Sequence, residues 1–286
     1  MHSAEQVQRV TVIGSGTMGH GIAQVLAMSG ITTSVIDVAE APLERARTQV
    51  TANLDKGVQK GKVTAEQREQ ALACLEFSTE LDRAVRRAEV VIEAVPEVLD
   101  LKRSIFERLG KTPSDVLLAT NTSSLSITAI AEAARSPERV VGMHFFNPVH
   151  LMKLVEVVRT KDSSRHAVNL AVDLARRLGK EPIEVADAPG FASSRLGIAI
   201  GMEAIRMVEA EVASAEDIDK AMTLGYGFPM GPLRLTDLVG LDVRLSIAEY
   251  LEKELGERFR PPQLLRDKVA RGELGKKSGR GFYDWN

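Results

Sequence analysis

Arg9-Val10-Thr11-Val12-Ile13-Gly14-Ser15-Gly16-Thr17-Met18-Gly19 is the stretch that decides the fold. Its first five residues read as a buried strand, the glycine triplet follows at once, and an apolar helical pattern begins at Ile22. Asp37 closes the next apolar run, eighteen residues after Gly19. Strand, glycine turn, helix and acid in this order are a dinucleotide-binding fingerprint. Gly14 permits the tight turn, Gly16 lets a pyrophosphate approach the backbone, and Gly19 lets helix and strand pack closely. Thr17 and Met18, within the same motif, are expected to bind the cofactor, and the helix N-terminus faces the phosphates with its unpaired N–H groups. Asp37 is expected to accept from the adenosine ribose hydroxyls. Its charge repels a 2′-phosphate and no Arg or Lys follows until Arg45, so NAD is expected over NADP.

Working outward, short apolar runs at 9–14, 32–37, 75–79, 89–95, 116–120, 139–146, 153–158 and 182–185 read as strands separated by helical patterns. That alternation implies an α/β fold, a Rossmann-like, mostly parallel, doubly wound sheet. The segment 39–73 is too long for one crossover helix. Gly61 to Thr64 splits it into a helical hairpin expected to project from the sheet. After Asp187-Ala188-Pro189-Gly190 no strand pattern survives, and helical periodicity returns at 191–212, 215–223, 232–239, 243–255 and 261–271. Two domains follow: 1–186, sheet-based, with the hairpin at 39–73, and 187–286, all-helical, joined through Asp187–Gly190. The glycine- and lysine-rich end, 275–281, is expected to be ordered only if something binds it.

The chain has 286 residues, enough for two cores, with 44% hydrophobic and 27% charged residues. A net charge of −2 steers toward neither nucleic acid nor a membrane surface, and no metal is expected. One cysteine, Cys74, excludes an internal disulfide and is read as a buried, inert thiol. No apolar run reaches spanning length, and the polar opening carries no targeting pattern, so the cytoplasm is the expected location.

Three polar residues mark the ends of apolar runs in the middle of the chain. Ser123 follows Val116 to Ala119, His144 follows Val140 to Met143, and Glu156 stands within Leu154 to Val158. If these runs are neighbouring strands, the three side chains meet at one sheet edge. A histidine with a carboxylate partner and a hydroxyl nearby is a general acid/base constellation. A carboxylate in an apolar strand is costly unless paired, and pairing to the ring would fix its tautomer. Ser123 lacks the G-x-S-x-G elbow of a hydrolase nucleophile. Asn121 and Ser124 read as turn-shaping residues, and His150 as a loop residue.

Taken together the motifs resemble the L-3-hydroxyacyl-CoA dehydrogenase family, of the single-function 3-hydroxybutyryl-CoA type. The resemblance runs through GSGTMGHGIAQ at 14–24, IEAVPE at 92–97, TNTSSLSIT at 120–128, GMHFFNP at 142–148 and MKLVEV at 152–157. It continues through APGF at 188–191, EDIDKAM at 216–222, PMGPLRLTDLVGLD at 229–242 and GKKSGRGFY at 275–283. HFFNP followed by KLVEV is the specific part.

The resemblance implies NAD-dependent interconversion of a short (S)-3-hydroxyacyl-CoA and its 3-ketoacyl-CoA, with His144 as acid/base paired to Glu156. It implies that Ser123 bonds the substrate 3-oxygen and helps hold the nicotinamide, that Asn147 lies near the nicotinamide ribose, and that Glu97 and Lys102 lie near the cofactor, against an ordinary surface-charge reading. Lys277 is expected to reach the cofactor when the domains close. Lys56 and Lys60, four apart on one helix face, would meet the coenzyme A phosphates with Asn53 beside them. Ser194 stands where the family has a substrate-binding asparagine, and His150 where a proline is usual. The second domain is expected to pair into a homodimer. The competing functions are a dehydrogenase of a free 3-hydroxy acid, gulonate-like, and a non-enzymatic NAD-binding protein.

Overall fold

The computed structural model describes residues 3–285. The chain forms two compact units, one ending at Ala188 and the other beginning at Pro189. The first unit opens with β1 (Arg9–Ile13), α1 (Thr17–Met28), β2 (Thr32–Ile36), α2 (Glu40–Gln59), α3 (Ala65–Ala73) and β3 (Leu75–Ser78). It continues with α4 (Leu81–Val85), β4 (Val90–Glu93), α5 (Leu99–Leu109), β5 (Leu117–Thr120) and α6 (Ile127–Ala131). It closes with β6 (Val140–Phe145), β7 (Leu154–Arg159), α7 (Arg165–Arg177) and β8 (Glu181–Ala186).

The eight strands form one sheet in the order β3-β2-β1-β4-β5-β6-β7-β8. The chain reverses its direction of growth between β1 and β4, the crevice where doubly wound sheets bind ligands. All pairings are parallel except β6 with β7. β4, β5 and β6 are buried along their whole length, which is why they read as continuous apolar runs rather than alternating ones.

Helix faces follow the same logic. In α2, Leu43, Ala46, Val50 and Leu54 form the buried stripe. Val50 and Leu54 pack with Ala71 of α3 and Ala27 of α1. The hairpin therefore packs on the first helix, because its apolar stripe must be covered. Each fully buried Val or Leu contributes about 1.5–3 kcal/mol. Cys74 ends α3 half-buried, not enclosed as expected. In α7, Ser164 caps the N-terminus and Arg177 donates to the Ala4 and Val7 carbonyls, tying down the chain start.

The expected linker is shorter than the sequence suggests. Asp187 accepts from the amides of Ile127 (3.1 Å) and Thr128 (2.8 Å) and from the Ser126 and Thr128 hydroxyls, capping α6. It is thus part of the first unit's fold.

The second unit is helical: α8 (Ser193–Glu209), α9 (Ala215–Gly225), α10 (Pro232–Val239), α11 (Leu241–Leu255) and α12 (Gln263–Ala270). Ile198, Met202, Ile205, Leu233, Leu241 and Leu251 lie in its core. The glycine-rich end is held by the chain itself, contrary to expectation. The buried Asp237 carboxylate accepts from the amides of Phe282 and Tyr283 and from Trp285 Nε1, at 2.8–2.9 Å. Among the described residues no helix is long and apolar enough to cross a membrane.

Candidate active site

The glycine turn is built as its residues require. Gly14 has φ 95°, and a Cβ there would stand 2.7 Å from the Ala94 carbonyl oxygen. A Cβ on Gly19 would fall 1.7 Å from the Gly14 oxygen, so its close packing is chiefly against the turn itself, with the Val12 side chain next at 3.7 Å. A Cβ on Gly16 would meet nothing, so this residue faces open space. No side chain caps α1, which begins at Thr17. Its first N–H groups are therefore available to an anion, as a pyrophosphate requires.

Beside this turn runs a cleft of about 1420 Å³, lined among others by Gly14 to Met18, His20, Asp37, Arg45, Gln49, Arg83 and Arg86. Asp37 is fixed by bonds the sequence did not reveal. Its Oδ2 accepts from the Ser15 amide (2.8 Å) and hydroxyl (2.6 Å), and Oδ1 from the Val38 amide (2.8 Å). The turn, the helix start and the held carboxylate fit a dinucleotide's pyrophosphate and ribose. Ser15 belongs to this site although the sequence reading leaves it without a role; its signal is its place inside the glycine motif.

At the far ends of β6 and β7, His144 and Glu156 are direct cross-strand partners, because antiparallel pairing sets Gly142 against Val158 and each pair inward from there. His144 Nδ1 lies 2.7 Å from Glu156 Oε2, with the glutamate fully buried and the histidine nearly so. The Phe146 ring packs tilted at 47° on the imidazole, centroids 4.4 Å apart. Asn121 is not a local turn residue: its Oδ1 accepts from the Phe145 amide at 2.9 Å, joining the end of β5 to the residue after His144.

Ser123 lies on the turn after β5, and Glu97 organises that turn. Glu97 Oε1 accepts from the Thr122 hydroxyl (2.5 Å) and from the amides of Ser123 (2.9 Å) and Ser124 (3.3 Å). Lys102 is no surface charge. It is fully buried, and its Nζ donates to Glu93 Oε1 at 2.7 Å and lies 3.5 Å from Glu97 Oε2. Glu93 is a site residue that the sequence reading misses; a carboxylate closing the apolar run Val90-Val91-Ile92 is the available signal.

The other candidates are spread more widely. Asn147 is exposed, before Pro148. Asn53 donates to Gln24 Oε1 and accepts from Gln49, tying α2 to α1. Lys56 and Lys60 are exposed at the C-terminal end of α2, where cations also suit the helix dipole. His150, half-buried in the β6–β7 loop, is held below the usual histidine range by burial and then by Lys180, His20 and Lys56. Of these, Lys180 follows α7 and donates its Nζ to the Val149 and Met152 carbonyls of the β6–β7 loop. In the second unit, Ser194 sits in the first turn of α8, and Lys277 Nζ bonds Asp242 Oδ2 at 2.6 Å.

Comparison with known proteins gives the family. Residues 9–188 match the family model of the 3-hydroxyacyl-CoA dehydrogenase NAD binding domain, and residues 190–285 that of the 3-hydroxyacyl-CoA dehydrogenase C-terminal domain. A 3-hydroxybutyryl-CoA dehydrogenase of Mycobacterium tuberculosis is 44% identical over 99% of this chain and 100% of that protein. A 3-hydroxyadipyl-CoA dehydrogenase of Escherichia coli is also 44% identical, over 98% of this chain and 59% of that protein. The crystal structure of an (S)-3-hydroxybutyryl-CoA dehydrogenase from Ralstonia eutropha has a TM-score of 0.94 and 38% identity, covering 98% of this chain and 100% of that one. A glycine turn with a held acid, a cross-strand His–Glu pair and two family models spanning both units lead to one assignment: this chain belongs to the 3-hydroxyacyl-CoA dehydrogenase family, NAD-binding oxidoreductases.

Proposed function

We infer that this protein converts a short (S)-3-hydroxyacyl-CoA, such as 3-hydroxybutyryl-CoA, to the 3-ketoacyl-CoA and back, with His144 as general acid/base. The observation that carries the reading is the 2.7 Å contact between His144 Nδ1 and the fully buried Glu156. With Nδ1–H donated to the carboxylate, Nε2 is the nitrogen that takes the 3-hydroxyl proton. The imidazolium that forms lies beside a carboxylate shielded from water, where the attraction is stronger than in solvent. In reverse, Nε2–H protonates the developing alkoxide. The Ser123 hydroxyl bonds the same substrate oxygen and holds it toward the ring. When bound, NAD supplies the two-electron acceptor for the hydride leaving C3. Ser194 and Lys277 are assigned to substrate and cofactor by the family pattern alone.

Relatives equally similar to this chain carry names with different acyl groups, so overall identity does not set the substrate. An NADH-oxidation assay decides it. Acetoacetyl-CoA should be consumed readily, acetoacetate hardly at all, and longer 3-ketoacyl-CoAs rank the acyl preference. Acetoacetate as the better substrate would replace this reading with the free-acid one. The exposed Lys56 and Lys60 at the end of α2 favour the thioester, whose coenzyme A brings phosphates.

Lys56→Ala with Lys60→Ala is accordingly expected to raise KM for acetoacetyl-CoA far more than it lowers kcat. The lost contacts act on a distant nucleotide and are alike in ground and transition states. The difference should shrink at high salt, because both lysines are exposed. A kcat loss at unchanged KM would move these residues to the chemistry.

Asp37→Ala is expected to weaken NAD binding and to admit NADP. The variant removes the ribose acceptor and its repulsive charge, and leaves Arg45, Arg83 and Arg86 on the cleft wall to meet a 2′-phosphate. KM values for both cofactors test this, and an unchanged preference would locate selectivity elsewhere.

The homodimer is proposed through the second unit, which exposes Leu224 (84%), Tyr226 (78%), Leu196 and Val212 (both 63%). Light scattering reading a monomer at micromolar concentration would overturn it.

A further inference from the structure

Glu93 ends β4 fully buried, and no step of the proposed reaction uses it. Its carboxylate is satisfied from three sides. Oε1 accepts from the Val95 amide and from Lys102 Nζ, both at 2.7 Å, and Oε2 from the Thr120 hydroxyl at 2.6 Å. Lys102, itself fully buried, reaches Glu97 Oε2 only at 3.5 Å. The other Glu97 oxygen templates the Thr122–Ser124 turn. One ammonium therefore stands between two carboxylates. It is held closely by the buried one and loosely by the one that shapes the turn bearing Ser123.

We propose that Glu93 is a positioning residue: by taking the shorter of the two Lys102 contacts, it keeps Lys102 from drawing Glu97 off the Thr122–Ser124 turn, and so sets where the Ser123 hydroxyl stands. Glu93 and the ammonium are fully buried, where a charge without a close partner is costly, and the exposed Glu97 is the second anion within reach of the cation. With Glu93 neutral, Glu97 is the anion left within reach of the ammonium. Its side chain is 38% exposed and hence movable. An ammonium–carboxylate bond outcompetes bonds from neutral amides and a hydroxyl, so Glu97 shifts toward Lys102 and its grip on the turn loosens. The inference rests on the reading of Ser123 as donor to the substrate oxygen.

The test is Glu93→Gln, which keeps the side-chain shape and removes the charge, its amide oxygen left to the Val95 amide and Lys102 and its NH2 donating to the Thr120 hydroxyl. Hydrogen–deuterium exchange is read at the Ser123 and Ser124 amides against those of β1, with melting temperature and steady-state kinetics on acetoacetyl-CoA alongside. Exchange at the two turn amides should accelerate roughly tenfold or more beyond any change in β1, the scale of one lost charge-assisted hydrogen bond. The kcat should fall by a similar factor while KM changes little. Thr120→Val removes another partner of Glu93 and should lower the melting temperature without accelerating the turn. Glu93→Gln combined with Lys102→Met should restore turn protection, since nothing then pulls on Glu97. Should Glu93→Gln fail to fold, Glu93→Asp, which retracts the charge by one methylene, gives the same reading in weaker form.

Unaccelerated exchange at Ser123 and Ser124 in the folded variant overturns the proposal, as does acceleration that persists in the double variant. Accelerated exchange at full kcat would instead uphold the role of Glu93 and refute that of Ser123.

Discussion

His144→Gln is expected to lose roughly 10²–10⁴-fold in turnover while binding NADH within a few-fold of the parent, because positioned proton transfer has about that worth. Glutamine is the informative replacement. Its amide can still donate toward Glu156, so the buried carboxylate keeps a hydrogen-bond donor and the β6–β7 pairing keeps its reason to form. The amide has no nitrogen that takes up a proton near neutral pH. The glycine turn and Asp37, far along the chain just after β1 and β2, are untouched. Fluorescence titration with NADH and turnover on acetoacetyl-CoA separate the two quantities. Most of the activity surviving at neutral pH would sink the assignment. Weakened NADH binding with it would mean that the ring shapes the pocket instead of moving a proton.

The constellation is legible because each of its residues ends or interrupts an apolar run, and burial makes such positions conspicuous. Its register is not. Twelve residues separate His144 from Glu156, and only the antiparallel return of the chain through Asn147 to Lys153 makes them opposite. Apolar runs reveal that strands exist, while loop geometry sets their direction. Asn121 illustrates the same limit. Its sequence neighbours suggest a turn, yet its partner is the Phe145 amide, brought close by strand order. The competing surface reading of Lys102 fails for a different reason. It shares one face of α5 with Ile105, Phe106 and Leu109, a stripe that marks it as buried. Reading it as a possible surface charge puts residue type ahead of position, and Glu93, which makes that burial tolerable, is overlooked with it.

The glycine-rich end shows how far a single buried acid reorganises such expectations, and Asp237→Ala should expose it. The carboxylate accepts two backbone amides and the indole N–H at 2.8–2.9 Å. Bonds to a charged group contribute about 1.5–3 kcal/mol each, and they share one acceptor group, so the loss is on the order of 3–5 kcal/mol. For a unit of this size that lowers the melting temperature by roughly 15 °C or more. Other contacts assist: Arg234 lies over the Tyr283 and Trp285 rings at 5.2 and 5.1 Å, and Tyr283 donates to Asp219 Oδ2 at 2.7 Å. Burial and the Asp219 charge hold that phenol above its usual range, so it remains a donor. These contacts belong to a segment that the three Asp237 bonds keep in place. Limited trypsin digestion gives the second reading, because Lys276, Lys277 and Arg280 are exposed and only backbone order protects the bonds after them. The variant should be cut there first, with the first unit intact. Gly281→Ala reaches the same end by the opposite route, since its Cβ would stand 2.2 Å from Asp237 Oδ1. If both variants melt like the parent and resist trypsin, the aromatic and cation contacts hold the end by themselves, and Asp237 is a spectator.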